Sequence, residues 1–156
     1  MGYTLYWYRD KLIDQVKFNT ILKDFKKIRQ ELDRKGVLLA GPDGDGLPII
    51  NDFGVSFNGH CETQGCCEAF TFSQELIFVY REPRKRNSKY FQYSKTDGLP
   101  YGLAAAVFLI IAKHYLNNQI TVSSDKPFSN WNKPRELCQR ILDYGSDFLP
   151  ENDFAD

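Results

Sequence analysis

Side chains capable of acid–base chemistry are concentrated between residues 95 and 125. Amines, phenols, imidazoles and carboxylates are the groups that most often transfer protons in enzymes. In this chain they flank a run of ten apolar residues at positions 103–112. If that run forms a helix packed across the neighbouring strands, four such side chains can meet in one pocket. The candidate catalytic residues are Lys95, Tyr101, His114 and Asp125.

The same region also defines a candidate pocket for a small molecule or a nucleotide. His114 has an alternative role, because an imidazole at a helix end can bond to the last carbonyls. The segment 123–125 has an alternative as a turn that closes a strand. The candidate ligand-binding residues are Lys95, Tyr101, His114, Ser123, Ser124 and Asp125.

Established catalytic motifs are absent from the sequence. It contains no nucleophile elbow, phosphate-binding loop, dinucleotide fingerprint or zincin helix. We therefore expect a protein that is not an enzyme and that uses no cofactor.

Three of the four cysteines lie in one polar loop. Cys61 and Cys66 have the spacing of a zinc-ligand pair, with four residues between them. Cys66 and Cys67 are adjacent, and neighbouring side chains in extended backbone point apart. We expect free thiols in a reducing compartment rather than a metal centre. The weak metal-ligand candidates are His60, Cys61, Cys66 and Cys67.

Basic and aromatic residues alternate between positions 81 and 95. Cations for phosphates and flat rings for bases are what single-stranded nucleic acid binding requires. The alternative is a solvated hairpin whose flanking strands turn their rings toward the core. We expect this alternative, because 20 basic residues balance 20 acidic ones and give no overall attraction for a polyanion. The residues concerned are Tyr80, Arg81, Arg84, Lys85, Arg86, Lys89, Tyr90, Phe91, Tyr93 and Lys95.

Length and composition are those of one globular domain. A chain of 156 residues can bury a core without cross-links. The N-terminal residues lack the pattern of a signal peptide, and the apolar run is shorter than the roughly 20 residues that span a bilayer. We expect an intracellular, cytoplasmic protein without membrane contact.

Hydrophobic periodicity predicts an α+β fold. Helices are expected at 17–35, 100–118 and 134–144, and strands at 3–8, 37–40, 49–58, 69–72, 76–80, 90–94 and 120–123. The middle helix is apolar on every side and must be wrapped by the rest of the domain, whereas the other two are amphipathic. The prediction is a single two-layer domain at 1–145, a mainly antiparallel sheet on a buried helix. Residues 146–156 are predicted to form an acidic, loosely ordered tail.

Aromatic residues make up 15% of the chain, and several cluster near its start. Large rings in excess of what one small core needs are typical of interfaces. Because two-fold dimers are the commonest soluble assembly, we expect a homodimer. The alternation of the first strand would let one face pack inward and the other meet a partner. The predicted interface residues are Tyr3, Tyr6, Trp7, Tyr8 and Trp131.

Several short motifs occur in a characteristic order. The chain begins Met-Gly-Tyr-Thr-Leu-Tyr-Trp, and Asn58-Gly59, Glu68-Ala-Phe70, Lys113-His114 and Val122-Ser-Ser-Asp125 follow. In this composite it resembles a family of small proteins from bacteria, phages, fungi and large DNA viruses whose members begin Met-Gly-Tyr-Thr-His-Tyr-Trp. The resemblance implies an intracellular or virus-associated protein and no particular activity.

These observations rank three hypotheses. The first is a non-enzymatic binding or regulatory module that self-associates and meets an unidentified protein or small-molecule partner. The second is a small-molecule or nucleotide-binding protein, or an enzyme, with a pocket around Lys95, Tyr101 and His114. The third, and the weakest, is nucleic-acid binding through residues 81–95.

Overall fold

The computed structural model describes residues 3–151 as an α+β domain. The N-terminal motif and the predicted tail therefore lie partly outside the described residues. The strands are β1 (Thr4–Arg9), β2 (Leu39–Ala40), β3 (Ile49–Asn51), β4 (Gly54–Gly59), β5 (Phe70–Ser73), β6 (Lys85–Arg86), β7 (Lys89–Lys95) and β8 (Ile120–Ser124). The helices are α1 (Gln15–Arg34), α2 (Tyr101–Leu116) and α3 (Asn132–Leu142).

The strands form two antiparallel sheets. The first has the order β6-β7-β1-β8, so that β1 lies in its interior. The second has the order β2-β4-β3, with β5 also paired to β4. A two-residue turn joins β6 to β7, and both of its residues, Asn87 and Ser88, have positive φ. Such turns match the twist of the flanking strands and set the register of the hairpin.

Helix α2 is the centre of the core, as its uniform apolarity predicts. Every residue from Ala104 to Ala112 is buried. Helices α1 and α3 pack on it and on each other, and strand β8 also contacts it. The ring of Phe108 lies 5.2 Å from those of Phe25 in α1 and Phe72 in β5, and edge-to-face contacts of this kind link helices to strands.

The amphipathic helices follow the predicted pattern. The side chain of Asp14 accepts a hydrogen bond from the Lys17 backbone N–H at 3.1 Å and caps the start of α1. Buried residues recur along α1 at helical spacing. Helix α3 buries Leu137 and Cys138.

Two local predictions are wrong. Residues 76–80 form no strand, because only Leu76 is buried while Ile77, Val79 and Tyr80 are at least three-quarters exposed and lack a pairing partner. The chain after residue 145 is packed, since Phe148 is buried against the ring of Trp131 and the Glu151 N–H donates to the Val122 carbonyl at 2.7 Å. The described part of the predicted tail therefore belongs to the domain.

Candidate functional site

The predicted pocket around Lys95, Tyr101 and His114 is not formed. Tyr101 begins α2, whereas His114 lies in its last turn. Thirteen residues of helix separate them by about 20 Å. A cavity of about 320 Å³ includes His114 and Tyr144 but none of the other five predicted ligand-binding residues.

Tyr101 holds the start of α2 in place. Its hydroxyl donates to the backbone carbonyls of Glu68 and Lys95. Burial raises the pKa of Tyr101, so the phenol stays protonated as a donor. The Lys95 N–H in turn donates to the Glu68 carboxylate at 2.8 Å, and the lysine side chain is exposed.

The polar residues after β8 close the sheet. The Asp125 carboxylate accepts from the Thr4 N–H at 2.9 Å, and the Ser124 hydroxyl accepts from the Trp131 indole at 3.2 Å. Ser123 is buried opposite Tyr6. The geometry thus matches the turn alternative for this segment and does not gather a catalytic group.

His114 belongs to a different polar cluster, which the sequence does not indicate. Its ring stacks on that of Tyr144 at 3.8 Å. The hydroxyls of Tyr144 and Tyr115 both donate to the carboxylate of Asp24, at 2.8 and 2.6 Å. Burial and the hydrogen bond to Asp24 raise the pKa of Tyr115 to about 12. Protonated phenols that bond a buried carboxylate stabilise the contact between the three helices rather than abstract protons.

The cysteine loop differs from its expected reduced state. Cys61 and Cys66 form a disulfide, while Cys67 and Cys138 are free. The disulfide removes two thiolates from the weak zinc-ligand set that also includes His60. Within residues 3–151 no group of three or more histidine, cysteine or acidic side chains is placed to hold a metal ion.

Two of the five predicted interface residues, Trp7 and Trp131, are core residues instead, and a third, Tyr8, is buried on the outer face of the first sheet. Trp7, Tyr8 and Trp131 are each at most 4% exposed. Trp7 packs on Phe70 at a ring distance of 5.2 Å, which accounts for a large ring without invoking a partner. The composition therefore overestimates how many of these aromatic rings are available to a partner.

The outer face of the first sheet carries a row of aromatic rings. The alternation of β1 turns Leu5 and Trp7 inward and places Tyr6 on the opposite face. Tyr6 pairs with Tyr93 across the strands, and Tyr8 pairs with Phe91. The expectation that the rings of the strands flanking the basic loop face the core is wrong for Tyr93, which is 57% exposed.

The rings of this row are closely spaced. The ring of Phe91 lies 5.9 Å from that of Tyr6 and 5.8 Å from that of Tyr93, with interplanar angles of 24° and 29°. Tyr8 is tilted against Phe91 at 5.2 Å. We call Tyr6, Tyr8, Phe91 and Tyr93 the aromatic row.

Exposed cations border the aromatic row. The guanidinium of Arg84 lies 4.3 Å from the centre of the Phe91 ring, and that of Arg86 lies 5.8 Å from the Tyr8 ring. Arg84 and Lys95 have no ion-pair partner among the described residues. Lys85 and Lys89, by contrast, are paired with Glu82 and Asp10.

A cavity of about 380 Å³ adjoins the end of the row at Tyr8. It lies where the β6–β7 hairpin approaches the start of β8. Its lining combines cations, amides, a hydroxyl and one carboxylate. The lining residues are Tyr8, Arg86, Asn87, Lys89, Asn118, Thr121 and Glu151.

The fold and this surface together define a small α+β domain whose first sheet has an aromatic and basic outer face. No protein-family model matches the chain, and neither a curated protein nor a solved structure matches it. Among the described residues, no helix combines the length and apolarity needed to cross a membrane.

Proposed function

We propose that the protein is a non-enzymatic binding module that binds single-stranded nucleic acid on the aromatic row. The observation that carries the proposal is the exposed ring of Tyr93, which shares one sheet face with the half-buried rings of Tyr6 and Phe91 and lies beside an exposed arginine. Bases stack on such rings without regard to sequence, and arginine adds contacts to phosphates and to ring faces.

Charge complementarity favours nucleic acid over an apolar partner for this face. The net charge of zero does not oppose it, because the cations are local to one hairpin and its sheet. Arg84 and Lys95 retain their charge for a ligand, since neither is neutralised within the described chain. An extended strand can lie along the exposed face of a sheet, which suits a ligand without secondary structure.

Substitution of Tyr93 tests the proposal. Tyr93→Ala is expected to weaken binding of a labelled single-stranded oligonucleotide about tenfold, because one stacked base contributes about 1–3 kcal/mol. Tyr93→Phe should retain most of the affinity, since the ring is kept. Fluorescence anisotropy at low salt measures both.

Phe53→Ala is the matched control, because Phe53 is an 82% exposed ring in the second sheet's β3–β4 turn. It should leave affinity unchanged. Equal losses for Tyr93→Ala and Phe53→Ala, or no binding by the unaltered protein, would refute the proposal.

Self-association through the second sheet is a separate proposal. Strand β3 pairs only with β4 among the described strands, so its other edge is open. Leu47 and Ile49 near that edge are exposed. An open edge with apolar neighbours favours pairing with a second copy.

The compartment is likewise a proposal. The intracellular location rests on the N-terminal sequence pattern and the family resemblance, and the virus association rests on the resemblance alone. The Cys61–Cys66 disulfide is more typical of an oxidising environment than of a reducing cytosol, so it weighs against that location.

A further inference from the structure

The cavity beside Tyr8 is lined by a carboxylate as well as by cations, and a site for phosphate alone would not need the carboxylate. Arg86 and Lys89 both carry positive charge in this lining, and Lys89 is also paired with Asp10 at 2.9 Å. Glu151 adds a carboxylate to the same lining. A carboxylate repels phosphate, so its presence in a polyanion-binding face is unfavourable unless it accepts hydrogen bonds from the ligand.

Glu151 is held at this position by the fold. Its backbone N–H donates to the Val122 carbonyl at 2.7 Å, which fixes the chain beside β8. Its side chain is exposed, and Lys113 at the end of α2 interacts with it electrostatically. The exposed carboxylate is therefore available to a donor in the cavity.

Neutral polar groups complete the lining. Thr121 lies opposite Tyr8 across the β1–β8 pair, and so on the outer face of the sheet. Asn118 and Asn87 approach from the loops at either side. Hydroxyl and amide groups can both donate and accept, as a sugar or a base edge requires.

We infer that this cavity binds one ribonucleotide unit of the strand, with its phosphate toward Arg86 and Lys89 and its ribose hydroxyl donating to Glu151. The inference rests on the proposed function, because the cavity is continuous with the aromatic row through Tyr8. The 2′-hydroxyl is the group that distinguishes RNA from DNA, and a carboxylate can accept a hydrogen bond from it. The protein therefore prefers RNA to DNA of the same sequence.

Oligouridine and oligodeoxyuridine of equal length isolate the hydroxyl, because uracil carries no amino group that could replace it as a donor. Anisotropy titrations should show about tenfold tighter binding of oligouridine, the effect of one hydrogen bond to a charged group. Glu151→Ala should reduce that ratio to about one while DNA binding becomes equal or tighter, since the repulsion of phosphate is removed.

Glu136→Ala is the matched control, because it removes the same charge from α3, which packs on the other helices. It should keep the preference for RNA. Equal binding of both oligonucleotides by the unaltered protein, or a preference that survives Glu151→Ala, would overturn the inference and leave the proposed function intact. Failure to bind either oligonucleotide would instead refute the proposed function.

Discussion

At the scale of single residues, Arg9 shows how a buried charge can be structural. Its side chain is inaccessible to solvent and bonds to no carboxylate of residues 3–151. Instead it donates to the backbone carbonyls of Asp10 at 2.9 Å and Gln74 at 3.2 Å, and to that of Ser73, while the guanidinium lies 4.4 Å from the Phe72 ring centre. Burial lowers the pKa of Arg9 to about 9, so it remains charged at neutral pH. It thereby joins the end of β1 to the end of β5.

Replacing the Arg9 guanidinium should lower the free energy of unfolding. Arg9→Met leaves several buried carbonyls without a donor, and we expect a loss of roughly 3 kcal/mol in the free energy of unfolding. Urea denaturation followed by circular dichroism measures the loss. Arg81→Met, at an exposed arginine, should change stability by less than about 0.5 kcal/mol. Similar midpoints for the two variants would show that the Arg9 hydrogen bonds contribute little.

At the scale of elements, one carboxylate couples two helices. Glu31 of α1 bonds to Arg34 at 2.9 Å in its own helix and to Arg140 of α3 at 3.1 Å. The hydrogen bond from Arg34, followed by that from Arg140, lowers the pKa of Glu31 from 4.5 to about 2. A carboxyl group whose pKa is lower in the folded protein stabilises the fold above its unfolded pKa.

The stabilisation by Glu31 should be present at neutral pH and lost in acid. The contribution of Glu31 should be complete above about pH 4.5 and should vanish as the pH falls toward 2. Glu31→Gln should therefore lower the urea midpoint at pH 7, and its effect should be much smaller near pH 2. Asp33→Asn, at an exposed position without an ion pair in the described chain, should show no such dependence. A Glu31→Gln effect that is the same at both pH values would rule out the ion pairs as its cause.

At the scale of the whole molecule, the sequence predicts the elements better than their partners. The apolar run of α2 and the spacing in α1 predict both helices to within two residues, because local periodicity is sufficient there. Residues 76–80 have the composition of a strand but find no partner, and pairing is a non-local property. The row formed with Phe91 and Tyr93 depends on the register of β1 against β7. That register cannot be obtained from either strand alone.

The same limit explains the dispersed acid–base residues. The distance between Tyr101 and His114 follows from helix geometry once α2 is known to span both. His114, by contrast, stacks on Tyr144 from the chain after α3, and Tyr144 in turn bonds to Asp24 of α1. No spacing in the sequence brings these residues together.

The assembly of the molecule is the remaining prediction at this scale. We expect a homodimer through the open edge of β3, so light scattering at micromolar concentration should return about twice the chain mass of 18.1 kDa. Ile49→Lys should shift the mass toward the monomer, because edge lysines oppose strand pairing. A mass of one chain that persists as concentration rises would contradict the dimer.

The central claim is that the aromatic row binds single-stranded nucleic acid, and a salt titration tests it most directly. The affinity of the unaltered protein for a labelled oligonucleotide should fall linearly with salt on logarithmic axes, with a slope of about −0.7 for each phosphate contacted. Arg84→Gln should make the slope shallower by about 0.7, because it removes one unpaired cation beside Phe91. Absence of binding at low salt, or a slope that Arg84→Gln leaves unchanged, would contradict the claim.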